Sequence, residues 1–358
     1  VIISRTPFRV SFFGGGTDYP GWYREHGGAV LVTSIDKYCY LTCRFLPPFF
    51  EHKIRIIYSR IENCLTIDDI QHPSARECIR FLGIDRGLEI HHDADLPARS
   101  GLGSSSAFTV GLLHALHALQ GRIVSKEQLT SQAIHLEQDV LRETVGSQDQ
   151  ASTAYGGFNL INFHQSGEVT VSPVPVTAAR LRELNDHMML FYTGIKRTAE
   201  TVAKSYVEDI GSKRRQLRLM KDLTDESVSV LSSGTDLKAF GELLHEAWEA
   251  KRSLSSSVSN ADVDGAYQAA RDAGALGGKL LGAGGGGFFL VFAPPERHRA
   301  IRKALSSLIY VPFRFESAGS QIIFIDRQED FSALEPVGDV ARSFRELNAD
   351  DPAARARI

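Results

Sequence analysis

The chain has 358 residues, 43% of them hydrophobic, which is enough for two domains with a core each. A net charge of −3 argues against non-specific nucleic-acid binding, which rests on clustered positive charge. No apolar run approaches the roughly 20 residues needed to span a bilayer, and no signal peptide is visible, so a cytoplasmic protein without membrane contact is expected.

Residues 1–13 alternate as a strand, with Ile2, Phe8, Val10 and Phe12 on one set of positions and Ile3, Arg5, Pro7 and Arg9 on the other. The pattern begins at Val1, so an initiator Met or a short leader is expected ahead of it. A turn follows over Gly14–Gly21. Residues 28–46 read as one or two strands, 53–59 and 87–93 as further strands, and 74–82 as a helix. The cysteines are Cys39, Cys43, Cys64 and Cys78; with no C-x-x-C pair they read as buried free thiols in a reducing compartment.

From Ser104 to Gln120 the spacing predicts a helix, apolar on nearly every face and capped by Gly121. A second helix opens at Ser125, with Gln128 as its capping-box partner. Leu129, Ala133, Leu136 and Val140 make its stripe. Glu137 falls roughly 80° from the middle of that stripe, on the border of the buried face, where a carboxylate can look into a cleft. Residues 157–163 and 168–172 form a hairpin around Gln165-Ser166-Gly167.

Pro173 and Pro175 end that pattern, and a domain boundary is expected near 175–187. A strand over 188–193 opens the second half. Helices follow over about 198–231, 236–254 and 261–273; in the second, Leu237, Phe240, Leu244, Ala247 and Lys251 share one face. A glycine-rich stretch, 277–287, leads into a strand at 288–293. A helix at 296–308 and strands near 310–315 and 321–325 are expected to close this second domain. The tail after about 327 is charged and reads as one docked helix. The arrangement is α+β, with domains at 1–180 and 181–340 and a charged tail at 341–358.

The chemistry centres on Leu96–Phe108, which holds two glycines and four serines and runs into the helix at Ser104. Glycines allow close backbone approach, serines supply hydroxyls, and a helix N-terminus offers unpaired N–H groups. This is a phosphate-binding design. Gly282–Gly287 matches G-x-G-x-x-G, but a strand follows it where a dinucleotide fold needs a helix. No G-x-x-x-x-G-K-[ST] and no protein-kinase signature occurs.

Three stretches carry a family resemblance: Thr6–Val10 with Gly16–Tyr19, Pro97–Ala107, and Lys279–Gly287. In this order they resemble the GHMP small-molecule kinases, the superfamily of galactokinase, homoserine kinase, mevalonate kinase and phosphomevalonate kinase. Phe13–Asp18, Arg99–Ser106 and Tyr192–Arg197 resemble the heptose-kinase and fucokinase branch. The resemblance implies an N-terminal ribosomal protein S5 domain 2-like fold and a C-terminal ferredoxin-like α/β sandwich. It implies ATP-dependent phosphorylation of the anomeric hydroxyl of a heptose 7-phosphate to the 1,7-bisphosphate, on the way to GDP-heptose and surface polysaccharide. A fucokinase or another sugar-1-kinase is the alternative within the same chemistry, and an inactive sugar sensor is the alternative outside it.

The same resemblance implies roles for single residues. Arg99, Ser100, Gly101, Leu102, Gly103, Ser104, Ser105 and Ser106 would bind the nucleotide, with Ser105 and Glu137 on Mg²⁺. Asp149 would orient the sugar hydroxyl and take its proton. Arg9 would favour the charged form of Asp149 and stabilise the moving phosphoryl group. Gly16, Thr17 and Asp18 would bind sugar hydroxyls, and Gly284 and Gly285 would pack against phosphate and sugar. Arg197, Lys196 and Lys279 are candidates for a second anion pocket. His91 and His92 point to opposite faces of a strand and are not read as a metal site. The implied partners are small molecules only, with no nucleic acid and no membrane, on a monomer or homodimer.

Overall fold

The computed structural model describes residues 1–326 other than 48, 99, 196–198 and 208, with the backbone alone at 199–201 and 206. Arg99, Lys196, Arg197 and the 341–358 tail therefore lie outside the described residues. The strands are β1 (Ile2–Phe13), β2 (Gly28–Phe45), β3 (Ile54–Ile57), β4 (Ile61–Cys64), β5 (Leu88–Ala94), β6 (Phe158–Phe163), β7 (Val169–Pro173), β8 (Met188–Tyr192), β9 (Gly277–Leu280), β10 (Phe288–Phe292), β11 (Ile309–Val311), β12 (Phe315–Glu316) and β13 (Gln321–Ile325). The helices are α1 (Pro20–His26), α2 (Pro73–Phe81), α3 (Ser104–Leu119), α4 (Lys126–Ile134), α5 (Gln148–Tyr155), α6 (Ala178–Asp186), α7 (Ala199–Val207), α8 (Arg214–Ser232), α9 (Lys238–Arg252), α10 (Ala261–Asp272) and α11 (His298–Ala304). Among the described residues no helix is long and apolar enough to cross a membrane.

Two sheets organise these elements. The first has nine strands, with the path β13-β1-β2-β5-β3-β4, β12 and β6 also on β2, and β7 beyond β6. The second has four, in the order β11-β8-β10-β9. Only β3 and β5 pair in parallel among the strands described. β1 carries a proline inside the sheet, which removes a ladder donor. The β1–β2 register shifts between Pro7 and Phe8, the bulge that such a residue requires. Arg9 follows two residues later.

α3 packs on β1 and β2 and is buried on nearly all sides, as its sequence predicts. Gly121, at φ +70°, lies just beyond its end. The capping box of Ser125 and Gln128 is present, but α4 stops at Ile134 and a π-helical turn runs from His135 to Val140.

Three expectations are corrected. The two sheets do not have separate cores. Phe12 and Phe13 of β1 meet Phe240 of α9 edge-on, at ring distances of 5.8 and 5.1 Å, and Phe240 continues to Phe292 of β10 at 5.7 Å. Second, β12 and β13 do not close the second sheet. β13 pairs with β1 and β12 with β2, so the chain returns to the first sheet. Third, the long helix expected at 198–231 is α7 and α8 with a 3₁₀ turn at Ile210–Lys213 between them.

Candidate active site

The site lies in a cleft between the Gly/Ser loop, the turn after β1, the start of α5 and the glycine loop before β10. Gly101 and Gly103 both take positive φ, +84° and +75°, which lets the loop fold back on itself before α3. Gly103 is the residue before the helix, and no side chain caps that end, so the first-turn N–H groups face the cleft as an anion site. Gly101, Gly103, Ser104, Ser105 and Ser106 line the wall. Ser100 and Leu102 do not. The Ser100 hydroxyl donates to the Pro97 carbonyl at 2.7 Å, and the Leu102 side chain is buried in the core. Arg99 lies outside the described residues.

β1 brings Arg9 beneath this loop and α5 brings Asp149 across from it. The guanidinium donates from Nε to Oδ1 at 2.7 Å and from Nη2 to Oδ2 at 2.8 Å, a two-point pair. Its third arm, Nη1, donates to the Gly101 carbonyl at 2.6 Å, and the Arg9 backbone N–H donates to the Leu102 carbonyl at 3.0 Å. Arg9 is buried, while the Asp149 side chain keeps 26% of its surface open.

Asp18 lies on the same wall. Its Oδ1 accepts the Gly16 N–H at 2.8 Å and its Oδ2 accepts the Gln148 amide at 3.0 Å. Burial raises its pKa above the usual carboxylate value, the charge of Asp149 adds to this, and the two hydrogen bonds oppose it. Gly146 is glycine because Asp18 occupies its side-chain space: a Cβ there would sit 1.8 Å from Oδ2. Thr17 corrects its expected role. It is fully buried, and its hydroxyl bonds to backbone groups of Gly14 and Ala29, which holds the turn rather than facing the cleft. Two residues that sequence reasoning missed also line the wall. Ser11 and Gln148 each keep one buried polar atom, Oγ and Oε1, without a partner.

The third glycine loop meets the first backbone to backbone. A Cβ on Gly282 would lie 2.6 Å from the Gly101 Cα, and one on Gly101 would lie 2.6 Å from the Leu281 carbonyl oxygen. Gly284 and Gly285, expected against substrate, face the other way. The Gly285 N–H donates to the Val258 carbonyl at 2.9 Å, and a Cβ on Gly284 would strike the same carbonyl. Gly282 and Ala283 line the cleft instead. Lys279 also lines it, with its ammonium donating to the Phe12 carbonyl at 2.7 Å. So does Lys251, the residue on the apolar stripe of α9.

Glu137 is fully buried rather than on a helix border, because the π-helical turn changes the direction in which residues after Ile134 project. Its Oε2 accepts the Ser106 hydroxyl at 2.8 Å and the Gln150 amide at 2.5 Å, while Oε1 has no partner. Burial pushes its pKa up to about 7, the charge of Glu143 adds to this, and the hydrogen bonds from Ser106 and Gln150 oppose it. Ser106, not Ser105, touches this carboxylate; Ser105 is exposed at the mouth of the loop. A bare carboxylate oxygen beside serine hydroxyls is a hard-donor set that fits Mg²⁺, provided that phosphates and water complete the shell. Among the described residues no group of three or more His, Cys, Asp or Glu could hold a metal by itself.

Two family matches each include part of the cleft lining: residues 73–157 match the GHMP kinases N terminal domain and 223–310 match the GHMP kinases C terminal domain. A D-glycero-alpha-D-manno-heptose 7-phosphate kinase of Campylobacter jejuni is 27% identical over 329 residues, spanning 85% of this chain and 93% of that protein. A mevalonate kinase of Methanothermobacter thermautotrophicus is 30% identical over 244 residues, 63% of this chain and 74% of that protein. A solved structure, a D-glycero-D-manno-heptose 1-phosphate kinase from Bacteriodes thetaiotaomicron, superposes with a TM-score of 0.75 at 25% identity, covering 91% of this chain and all of that one. With both domain types matched and a mevalonate kinase 30% identical over 74% of its length, the chain belongs to the GHMP kinases.

Proposed function

We propose that the protein is a sugar kinase that moves the γ-phosphoryl group of ATP to the anomeric hydroxyl of a heptose 7-phosphate. The observation that carries the kinase reading is the Arg9–Asp149 pair, tied through Gly101 to a glycine loop at a helix N-terminus. Phosphoryl transfer asks little covalent chemistry of a protein and much positioning and charge stabilisation. The N–H groups at the start of α3 hold the nucleotide phosphates. Asp149, held in place by Arg9, faces the acceptor hydroxyl and takes its proton as the oxygen attacks phosphorus. Asp18, Ser11 and Gln148 hold and orient the sugar hydroxyls. Ser105 and Glu137, the latter bonded to the Ser106 hydroxyl, would hold Mg²⁺, which would neutralise charge on the phosphates. Residues 1–180 carry most of these groups, and the glycine loop of the C-terminal half closes the cleft over them.

The substrate reading is supported by the motifs of the heptose-kinase branch and by the activity for which the Campylobacter relative is named. That the solved relative is named a 1-phosphate kinase makes the position of transfer the point to test. The experiment is a side-by-side assay with heptose 7-phosphate, heptose 1-phosphate and L-fucose, with phosphorus NMR to locate the new ester. A product with phosphate on the anomeric carbon and fastest turnover of the 7-phosphate is expected. Faster turnover of L-fucose would make it a fucokinase. Sugar binding without turnover of any substrate would make it a sensor.

A further inference from the structure

Lys251 belongs to a buried helix face and is 5% exposed. Its Nζ donates to two carbonyl oxygens, Leu280 at 3.0 Å and Gly282 on the other side of Leu281. Lys279 of β9 is 4% exposed and donates to Phe12. Both line the cleft. Neither ammonium has a carboxylate within ion-pairing distance among the described residues, and Arg9 is already taken by Asp149. Two buried lysine amines held only by neutral carbonyls would put uncompensated positive charge in the cleft whenever both are protonated. Such an arrangement is costly unless an anion completes it.

The position of Lys251 indicates which anion. Its partner Gly282 packs on Gly101, and the Gly101 carbonyl accepts from the guanidinium that clamps Asp149. The ammonium thus sits at the junction where the nucleotide loop, the third glycine loop and the acceptor-side carboxylate meet. An ammonium has three N–H groups. Lys251 has one left after its two carbonyls, and Lys279 has two left after Phe12.

We propose that Lys251 and Lys279 form a two-ammonium cradle for the phosphoryl group in transit, with Lys251 in direct contact with it. This rests on the kinase reading above. Burial lowers the Lys251 pKa to about 7 and the Lys279 pKa well below its usual value. The charged groups that face them are Arg9 from β1 and Asp18 from the turn after it, with Asp149 of α5 behind Arg9. Arg9 and the mutual repulsion of the two lysines disfavour the charged forms, and Asp18 favours them. An arriving γ-phosphate therefore draws protons onto the pair.

The test uses the full chain with Lys251→Met and Lys251→Arg. Proton uptake is measured by calorimetry at pH 7.5 in two buffers of different ionisation enthalpy, with a non-hydrolysable ATP analogue and with ADP. Steady-state kinetics are measured alongside. Wild type takes up protons with the analogue and not with ADP, and Lys251→Met loses most of that uptake. Its kcat falls about 100-fold, while its KM values for ATP and sugar change by less than about threefold. Lys251→Arg recovers part of kcat, because guanidinium also donates and stays charged. Unchanged uptake in Lys251→Met, or a kcat within about threefold of wild type, overturns the cradle. A rise in the sugar-phosphate KM alone also overturns it, because the ammonium then serves the acceptor's own phosphate. Should Lys251→Met not fold, equal uptake in Lys251→Arg and wild type overturns it. A wild-type protein that phosphorylates no sugar defeats the kinase reading, whereas the uptake measurement still decides the cradle.

Discussion

Arg9 and Asp149, 140 residues apart in sequence, meet in a two-point pair whose arms measure 2.7 and 2.8 Å. Replacing Asp149 with Asn turns one acceptor into an amide that faces a guanidinium N–H. The base is lost and the pair breaks, while the nucleotide loop keeps its own backbone contacts. Asp149→Asn is expected to lower kcat by about 10²- to 10⁴-fold and to leave nucleotide affinity within about threefold. Turnover and calorimetric binding of an ATP analogue check this, and an unchanged kcat removes Asp149 from its role.

Asp18 offers a second, independent test, because the proposed function places it against the sugar. Its carboxylate is held by Gly16 and Gln148 on the lining of the cleft. Asp18→Ala is expected to raise KM for the acceptor sugar about tenfold or more and to leave KM for ATP nearly unchanged, since a lost hydrogen bond to a charged group costs about 1.5–3 kcal/mol. Equal changes in both constants would count against a sugar contact.

Glu137 gives a pH dependence of known sign. Burial raises its folded pKa to about 7 from a usual value of 4.5, so the folded state holds the proton more tightly than the unfolded chain. The stability that this contributes is fully present below pH 4.5 and is lost as pH rises through about 7. In metal-free protein the loss amounts to about 3 kcal/mol. Urea midpoints across that range should fall in wild type and stay flatter in Glu137→Gln. Mg²⁺ with nucleotide should offset the loss at neutral pH if it binds the ionised form.

The contact between glycine loops separates packing from backbone conformation. Gly101 and Gly121 both have positive φ, but a Cβ on Gly121 meets nothing within 4 Å while one on Gly101 lies 2.6 Å from a carbonyl oxygen. Gly121→Ala should cost about 1 kcal/mol and spare activity. Gly101→Ala should cost about 2 kcal/mol or more and abolish most turnover, because it pries the two loops apart. Denaturation and kinetics on the pair of variants check the contrast.

Local pattern carried much of this architecture. The all-round apolar run of α3, the Ser125–Gln128 capping box and the hairpin of β6 and β7 each follow from short-range spacing. What depends on distant partners did not show. The edge taken by β13 is a matter of which strand is free, and its own five residues carry no sign of that. Glu137 was misdirected because a π-helical turn breaks the 100° period on which the estimate rests. The motifs named residue types and not orientations: Thr17, Gly284 and Gly285 turn into the scaffold, while Asp18 and Lys279 turn into the cleft. Lys251 stood out on an apolar stripe, but its meaning needed the carbonyls of Leu280 and Gly282 across from it.

The pairing of β1 with β13 also bears on how the protein is made. β1 holds Arg9 and leaves the ribosome long before the strand that completes its edge, Gln321–Ile325. Contacts so distant in sequence close slowly and late. During synthesis the Arg9 strand must therefore wait with an open edge, exposed to pairing with other nascent chains, until Gln321–Ile325 is out. A chain truncated before residue 321 would be expected to leave that edge open permanently, so loss of the final strand should show first as aggregation rather than as a weakened site.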